Sequence, residues 1–336
     1  MKEYDIRPRE AFQRYLRLSQ KDARAFFRNH TRFEKISCIG CGGKKLAVSI
    51  RKNGFQYMEC RACASLFVSP RPSPALLDSF YANSPSGNYW AEIFFPSVAE
   101  ARRKKIFAPR VTRIKKMLRE RSFSPRVIVE VGAGHGIFLE ECRKQFAGVS
   151  VRAVEPNVKQ AAICRAKKID TLERPIEKAE AWSEIADFVC CCEVIEHVYS
   201  PRAFLKAIAA IVKPGGYMLV TGLGIDGFDI QTLWEKSQSI FPPHHLNFLS
   251  VRALQTLAKG LGLTDIQITT PGQLDLDIVR NEWSTQPAVL HAQRFLQVLL
   301  TRRGPAAHAD FQQFLINHRL SSHMWLLARK PLRRKK

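Results

Sequence analysis

Residues Val127–Leu139 read VIVEVGAGHGIFL, and the fold is decided by how this stretch is read. Val127 to Val131 form a short, mostly apolar run of β-favouring residues, as expected of a strand buried on both faces. Gly132-Ala133-Gly134-His135-Gly136 follows, and then a helical pattern through Ile137, Phe138, Leu139 and Cys142. A strand, a glycine turn and a helix N-terminus make a site for a ligand that approaches the backbone closely. The plainer reading is an ordinary βα turn. Three alternating glycines led by the acidic Glu130 argue against it.

The spacing narrows the ligand. A dinucleotide fingerprint runs G-x-G-x-x-G/A. Here that third position is Ile137, and the third glycine comes one residue early, at Gly136, giving E-x-G-x-G-x-G. A second run, Val151–Val154, ends in Glu155, about twenty residues past the glycines. A carboxylate there suits a vicinal diol, because its two oxygens accept from both ribose hydroxyls. The pair of motifs resembles the class I S-adenosylmethionine (SAM) methyltransferases. The resemblance implies that Glu130, Gly132, Gly134 and Gly136 meet the methionine part of SAM and that Glu155 holds the ribose.

Downstream, strands and helices alternate. Val158–Lys168 reads as a helix, Ile169–Leu172 as a third strand and Ala186–Cys192 as a fourth. Successive strand residues point to opposite faces, so Cys190, Cys191 and Cys192 cannot form one chelate and are expected to be inert core thiols. Pro201–Val212 reads as a helix, Lys213-Pro-Gly-Gly216 as a turn, Tyr217–Thr221 as a fifth strand and Val251–Leu261 as a helix. Thr264–Thr270 reads as a sixth strand and His323–Ala328 as a seventh. The pattern predicts an α/β fold with a Rossmann-like, doubly wound sheet and right-handed crossovers. The resemblance adds that the last of the seven strands is antiparallel. The expected layout is a helical segment over 1–35, a small ribbon over 36–72, a helical linker or cap over 73–125 and the SAM-binding core over 126–273. A helical insertion over 274–321, the last strand over 322–329 and a basic, disordered tail over 330–336 complete it.

The ribbon rests on Cys38-Ile-Gly-Cys41 and Cys60-Arg-Ala-Cys63, eighteen residues apart. Leu46–Ile50 and Phe55–Met58 read as hairpin strands between two knuckles. Four thiolates on two knuckles give a closed, structural tetrahedral Zn²⁺ site at Cys38, Cys41, Cys60 and Cys63. No thioredoxin-like βαβ pattern surrounds either pair. The order CxxC, CxxC, LFVSPRPS and a helix ending in FY resembles the zinc-binding N-terminal region of nucleotide-sugar C-methyltransferases and their uncharacterised relatives. The likeness continues through Glu193-Val-Ile-Glu-His197 and His245-Leu-Asn-Phe-Leu-Ser250. Those enzymes usually carry an acidic residue where this chain has His244, and a tyrosine near where it has Pro242, so O- and N-methylation stay open beside C-methylation.

Chemistry in an open α/β sheet gathers beyond the strand C-termini. That rim collects Glu130, Glu155, Glu193, Glu196 and His197. The loop Arg174-Pro-Ile-Glu177 is a candidate for adenine, with Ile176 against the ring and Glu177 accepting from the amine. Histidine suits the base role near neutral pH, so His245 and His197 are candidate catalytic bases, with Glu196 orienting and His244 beside them.

The chain has 336 residues, is 46% apolar and carries a formal net charge of +23. Such charge favours anionic partners without selecting among them. Arg102–Lys105 and Arg113–Arg121 are expected to form a solvated basic face on a capping helix. The favoured acceptor is a small molecule, a sugar, nucleotide sugar or glycoconjugate precursor. The alternative is an RNA methyltransferase gripping phosphates through ribbon and basic face. Against RNA, strand four ends in Cys192-Glu193-Val194-Ile195, without an Asn/Asp-Pro-Pro-Tyr/Phe signature. No stretch reaches about 18 uninterrupted apolar residues, so no membrane span is expected, and peripheral contact would fall to the basic tail. The first residues lack the apolar core of a signal peptide, so a cytoplasmic location is expected.

Overall fold

The protein is described from a computed structural model covering residues 2–29 and 33–333. Seven strands form the central sheet: β1 Val127–Val131, β2 Ser150–Val154, β3 Asp170–Leu172, β4 Ala186–Cys192, β5 Val212–Leu223, β6 Thr264–Thr269 and β7 His323–Arg329. Their order is β6-β7-β5-β4-β1-β2-β3. Neighbours from β5 to β3 run parallel, whereas β7 is antiparallel to both β5 and β6.

The alternation of strand side chains builds two cores. Val129, Val131, Val189 and Cys191 meet Phe204, Leu205 and Ile208 of helix Pro201–Ile211 and Leu254 and Leu257 of helix Val251–Gly260. Ile128, Phe188, Cys190 and Leu219 face the other way, onto Val111, Ile114 and Leu118 of helix Ala108–Arg119 and Phe138 and Leu139 of helix Ile137–Gln145. Cys190 and Cys192 share a face, their sulfurs 3.4 Å apart, while Cys191 lies on the other. Cys192 also reaches the cavity described below, so it is not a purely internal thiol.

Strand β5 begins earlier than expected. Lys213-Pro-Gly-Gly216 lies inside it, where the pairing with β4 shifts register between Val212 and Tyr217. The expected turn is thus an irregularity within a strand. Gly215, at φ +82°, supplies the left-handed backbone there.

The N-terminal ribbon is a sheet of Leu46–Lys52, Phe55–Cys60 and Leu66–Val68, and its fourth strand, Asn247–Phe248, is lent by the methyltransferase-like core. Ribbon and core also share buried side chains, with Cys38, Cys60, Cys63 and Phe67 in one cluster with Leu249 and Ala253. Helix Arg9–Phe26 packs against the segment Pro85–Tyr89. The insertion forms helices Asp275–Thr285, Arg294–Arg302 and Pro305–Asn317 around Leu276, Val279 and Leu299. The expected disordered tail is partly ordered: Lys330 pairs with Glu184 at 3.2 Å, and Arg333 with the same carboxylate. Residues 334–336 of that tail lie outside the described residues.

Candidate functional site

One cavity of about 1250 Å³ opens beyond the C-terminal ends of β1, β2 and β4. Its wall brings together Glu130, Gly132, Gly134, Glu155, Ile176, Glu177, Glu193, Glu196, His197, His244 and His245. Gly136 is not among them. It caps the following helix in the left-handed conformation at φ +68°, and a Cβ there would stand 2.9 Å from Ile169 Cδ1. Its glycine serves helix packing rather than a ligand. Pockets for a single drug-sized ligand run to roughly 300–1,000 Å³, and this cavity is larger than that.

The glycine turn is built for close approach. Gly132 (φ +73°) donates its N–H to Val154 O at 2.8 Å, and a Cβ on it would meet Val194 Cγ2 at 2.6 Å. Gly134 (φ +54°) has nothing within 4 Å of its Cβ position, leaving its face open. Glu155 ties the turn to the end of β2: Oε2 accepts from Gly134 N at 2.7 Å and Oε1 from Asn157 N at 2.9 Å. Each oxygen keeps a further lone pair for a ligand hydroxyl. Glu130 is 3% exposed, burial pushes its carboxyl well above the usual range, and its Oε2 is buried without a partner. A buried, orphaned acceptor facing a cavity fits a cationic ligand group.

The histidines meet on the far rim. His197 Nδ1 donates to His244 O at 2.8 Å, and His245 Nδ1 donates to Ser239 O at 2.6 Å. Carbonyls only accept, so both rings keep their protons on Nδ1 and present Nε2 as an acceptor. The rings of His197 and His245 lie 4.9 Å apart. Burial, with His197 next, holds His245 down to about 3, so it is neutral at physiological pH. Glu196 Oε2 is buried without a partner, and burial pushes its carboxyl up. Ligand atoms of Glu196, His197 and His245 lie within 4.8 Å of one another, a spacing that also suits a cation. His244 is turned away from base duty. Its Nε2 sits 3.1 Å from Ser19 Oγ, and its ring stacks on Phe241 at 5.7 Å.

Glu193 and the arginines were only half legible. Glu193 accepts from Thr221 Oγ1 at 2.5 Å and lies 3.5 Å from Arg110 and 3.3 Å from His323. Burial opposes its charge, but His323 and Arg110 outweigh burial and hold it well below the usual carboxylate range. The expected solvated basic face is divided. Lys104 and Lys116 are exposed, whereas Arg102, Lys105 and Arg113 line the cavity, as does Arg110 between the two runs. Two π-helical turns, Trp90–Phe94 and Arg103–Phe107, interrupt the helical run. In regular α-helix Arg110 would sit about 80° around from Arg102. One extra residue absorbed by a π-turn brings the two within about 20° of each other. A pattern read at 3.6 residues per turn could not show that.

The four ribbon cysteines converge. Cys38 and Cys63 sulfurs are 3.4 Å apart, Cys41 and Cys60 3.6 Å, and all four lie within 4.8 Å of one another. Tetrahedral Zn–S bonds of about 2.3 Å separate sulfurs by about 3.8 Å, so the donor set fits zinc.

Comparison with known proteins bears on the family and the fold. A methyltransferase-domain family model matches residues 99–268, about half of the chain. The ubiquinone biosynthesis O-methyltransferase of Caulobacter vibrioides is 37% identical over 106 residues, 30% of this chain and 42% of that protein. Its counterpart from Parvibaculum lavamentivorans is 36% identical over 107 residues, 31% and 42%. The chain thus spans less than half the length of these curated relatives. Among solved structures, the plantazolicin methyltransferase BamL, in complex with a triazolic desmethylPZN analogue and SAH, gives a TM-score of 0.50 at 11% identity. That match covers 76% of this chain and 94% of the other, and it speaks for the fold alone.

Proposed function

This chain belongs to the methyltransferase-domain family, and from that premise we propose that it transfers a methyl group from SAM to a hydroxyl of a small-molecule acceptor. The observation that carries the reading is the Glu155 carboxylate closing the glycine turn beside the orphaned Glu130. SAM supplies the electrophilic methyl group. Glu155 accepts from the ribose hydroxyls, Gly132 and Gly134 let the ligand lie against the backbone, and Glu130 takes the amine. Ile176 packs on the adenine and Glu177 accepts from its amino group. Arg110, missed in the sequence, sits in the same wall and suits the methionine carboxylate.

A hydroxyl must lose its proton as its oxygen attacks. His245 accepts that proton at Nε2, with Ser239 O holding its Nδ1–H. His197 stands ready as the second base, and Glu196 orients the pair. Aromatic side chains of Phe12, Tyr15, Trp90 and Phe241 close the cavity from the side of the N-terminal helix and exclude water. Such an enclosed space suits a small molecule better than an RNA strand.

The acceptor class we favour is a sugar or nucleotide sugar, on the ribbon and the His245-x-x-Phe-x-Ser segment. A phenolic acceptor, suggested by the relatives' O-methyltransferase names and the aromatic wall, is the second reading. The ribbon cysteines bind one structural Zn²⁺. Among the described residues no helix is long and apolar enough to cross a membrane; a cytoplasmic location belongs to the same proposal. The test is transfer of labelled methyl from SAM to panels of nucleotide sugars, glycolipid precursors, catechols and RNA. Label in a sugar supports the favoured acceptor, and label in a catechol the second. Label in RNA alone overturns the small-molecule reading.

A further inference from the structure

We propose that the acceptor carries a phosphoryl group, seated in the cavity wall by Arg7 and Arg102. The inference rests on the reading that this cavity receives the acceptor. Both side chains line the cavity, Arg102 lying over the Phe95 ring at 5.4 Å and Arg7 over Phe12 at 5.4 Å. The Nε of each is buried without a hydrogen-bond partner. Among the described residues no carboxylate lies within 4 Å of Arg102. The nearest to Arg7 is Glu3, at 3.9 Å, whose other oxygen accepts from Asn281.

Of the other cations of this wall, Arg113, over Trp325 at 5.4 Å, and Lys178 are exposed to solvent, and two more are paired. Arg110 has Glu193 at 3.5 Å and Lys105 has Asp5 at 2.6 Å. Burial, then the charges of Arg7 and Arg110, pull Arg102 down to about 9, so it stays charged at neutral pH while repelled by its neighbours. Two like charges gathered in a partly enclosed space are unfavourable unless an anion joins them. A carboxylate would balance one guanidinium. A phosphoryl dianion balances both, and its oxygens match the planar donor forks. Phosphate monoesters and nucleoside diphosphate esters share this chemistry.

The test uses the full chain saturated with S-adenosylhomocysteine, so that no probe enters the cofactor's place. Calorimetric titrations are run with inorganic pyrophosphate and with uridine diphosphate. Both probes should bind the wild type. Arg7→Gln and Arg102→Gln should each lower affinity about tenfold or more, and the double variant further. Arg102→Lys, which keeps the charge, should recover part of the loss and covers the case of a poorly folded glutamine variant. Equal affinities would mean that the phosphoryl group alone is read; tighter uridine diphosphate would mean a nucleoside diphosphate ester. No binding of either probe, or wild-type affinity in the double variant, overturns the inference while S-adenosylhomocysteine binding leaves the methyl-transfer reading standing. Failure of S-adenosylhomocysteine to bind the wild type would overturn both.

Discussion

Arg71, fully buried at the end of the ribbon, donates from Nη2 to Asn247 Oδ1 at 3.0 Å. The same guanidinium donates to Val68 O and Tyr199 O, and Asn247 Nδ2 donates to Ile195 O and Val198 O. The ribbon, the loop carrying Glu196 and His197, and the loop carrying His245 are therefore fixed by one network. Tyr57 adds a bond from its hydroxyl to His245 O at 2.5 Å. Asn247→Ala should leave a buried charge short of an acceptor and cost about 2–3 kcal/mol. Urea denaturation checks the stability loss. Turnover should fall with it, because the histidine loop loosens; an unchanged unfolding midpoint would show that the network is dispensable.

Zinc should matter beyond the ribbon. Metal analysis is expected to find about one Zn²⁺ per chain, lost in Cys60→Ser. Because Asn247–Phe248 pairs with Leu66–Val68 and Ser250 Oγ donates to Cys63 O, chelation should speed amide exchange over 244–250. The sequence places ribbon and core in separate segments; the shared strand predicts coupling. Zinc-free protein with native protection in that loop would refute the link.

The acid pair Asp229 and Asp275 gives a pH dependence. Burial, then Asp275, raises Asp229 from 3.8 to about 8. An acid raised in the folded state favours folding fully below its unfolded pKa, and that contribution is lost as pH rises through the folded one. Wild-type stability should therefore decline between about pH 4 and pH 8 from this group. Asp229→Asn should flatten that part of the profile and melt higher than wild type at pH 8. Parallel melting curves for both proteins across this range would contradict the assignment.

His245→Ala should lower turnover about 10²-fold, the low end for a general base because burial holds this imidazole well below the working pH, and leave SAM affinity nearly unchanged. His197→Ala should cost less. A wild-type rate in both variants would mean that positioning alone suffices; lost SAM binding in His245→Ala would make that residue structural.

The sheet was legible because its signals are local: β-favouring runs ending in glycine or an acidic residue mark β1, β2 and β4 within about a residue of their observed ends. The glycine-turn end of the cavity was legible for the same reason, since Gly132, Gly134 and Glu155 follow directly from strand ends. Three things were not. Arg102 and Arg110 turn inward through a π-helical turn that a 3.6-residue period cannot express. The N-terminal helix closes the cavity through Phe12 and Tyr15, a contact across most of the chain's length. Asn247–Phe248 is too short to read as a strand, and only its pairing with the ribbon makes it one.

The central claim is that the glycine turn and Glu155 hold SAM, and titration calorimetry tests it most directly. The wild type should bind one SAM per chain, and Glu155→Ala at least about tenfold more weakly, since each charge-assisted bond to a ribose hydroxyl is worth about 1.5–3 kcal/mol. Wild-type affinity in Glu155→Ala, or tighter binding of NAD than of SAM, would contradict the account.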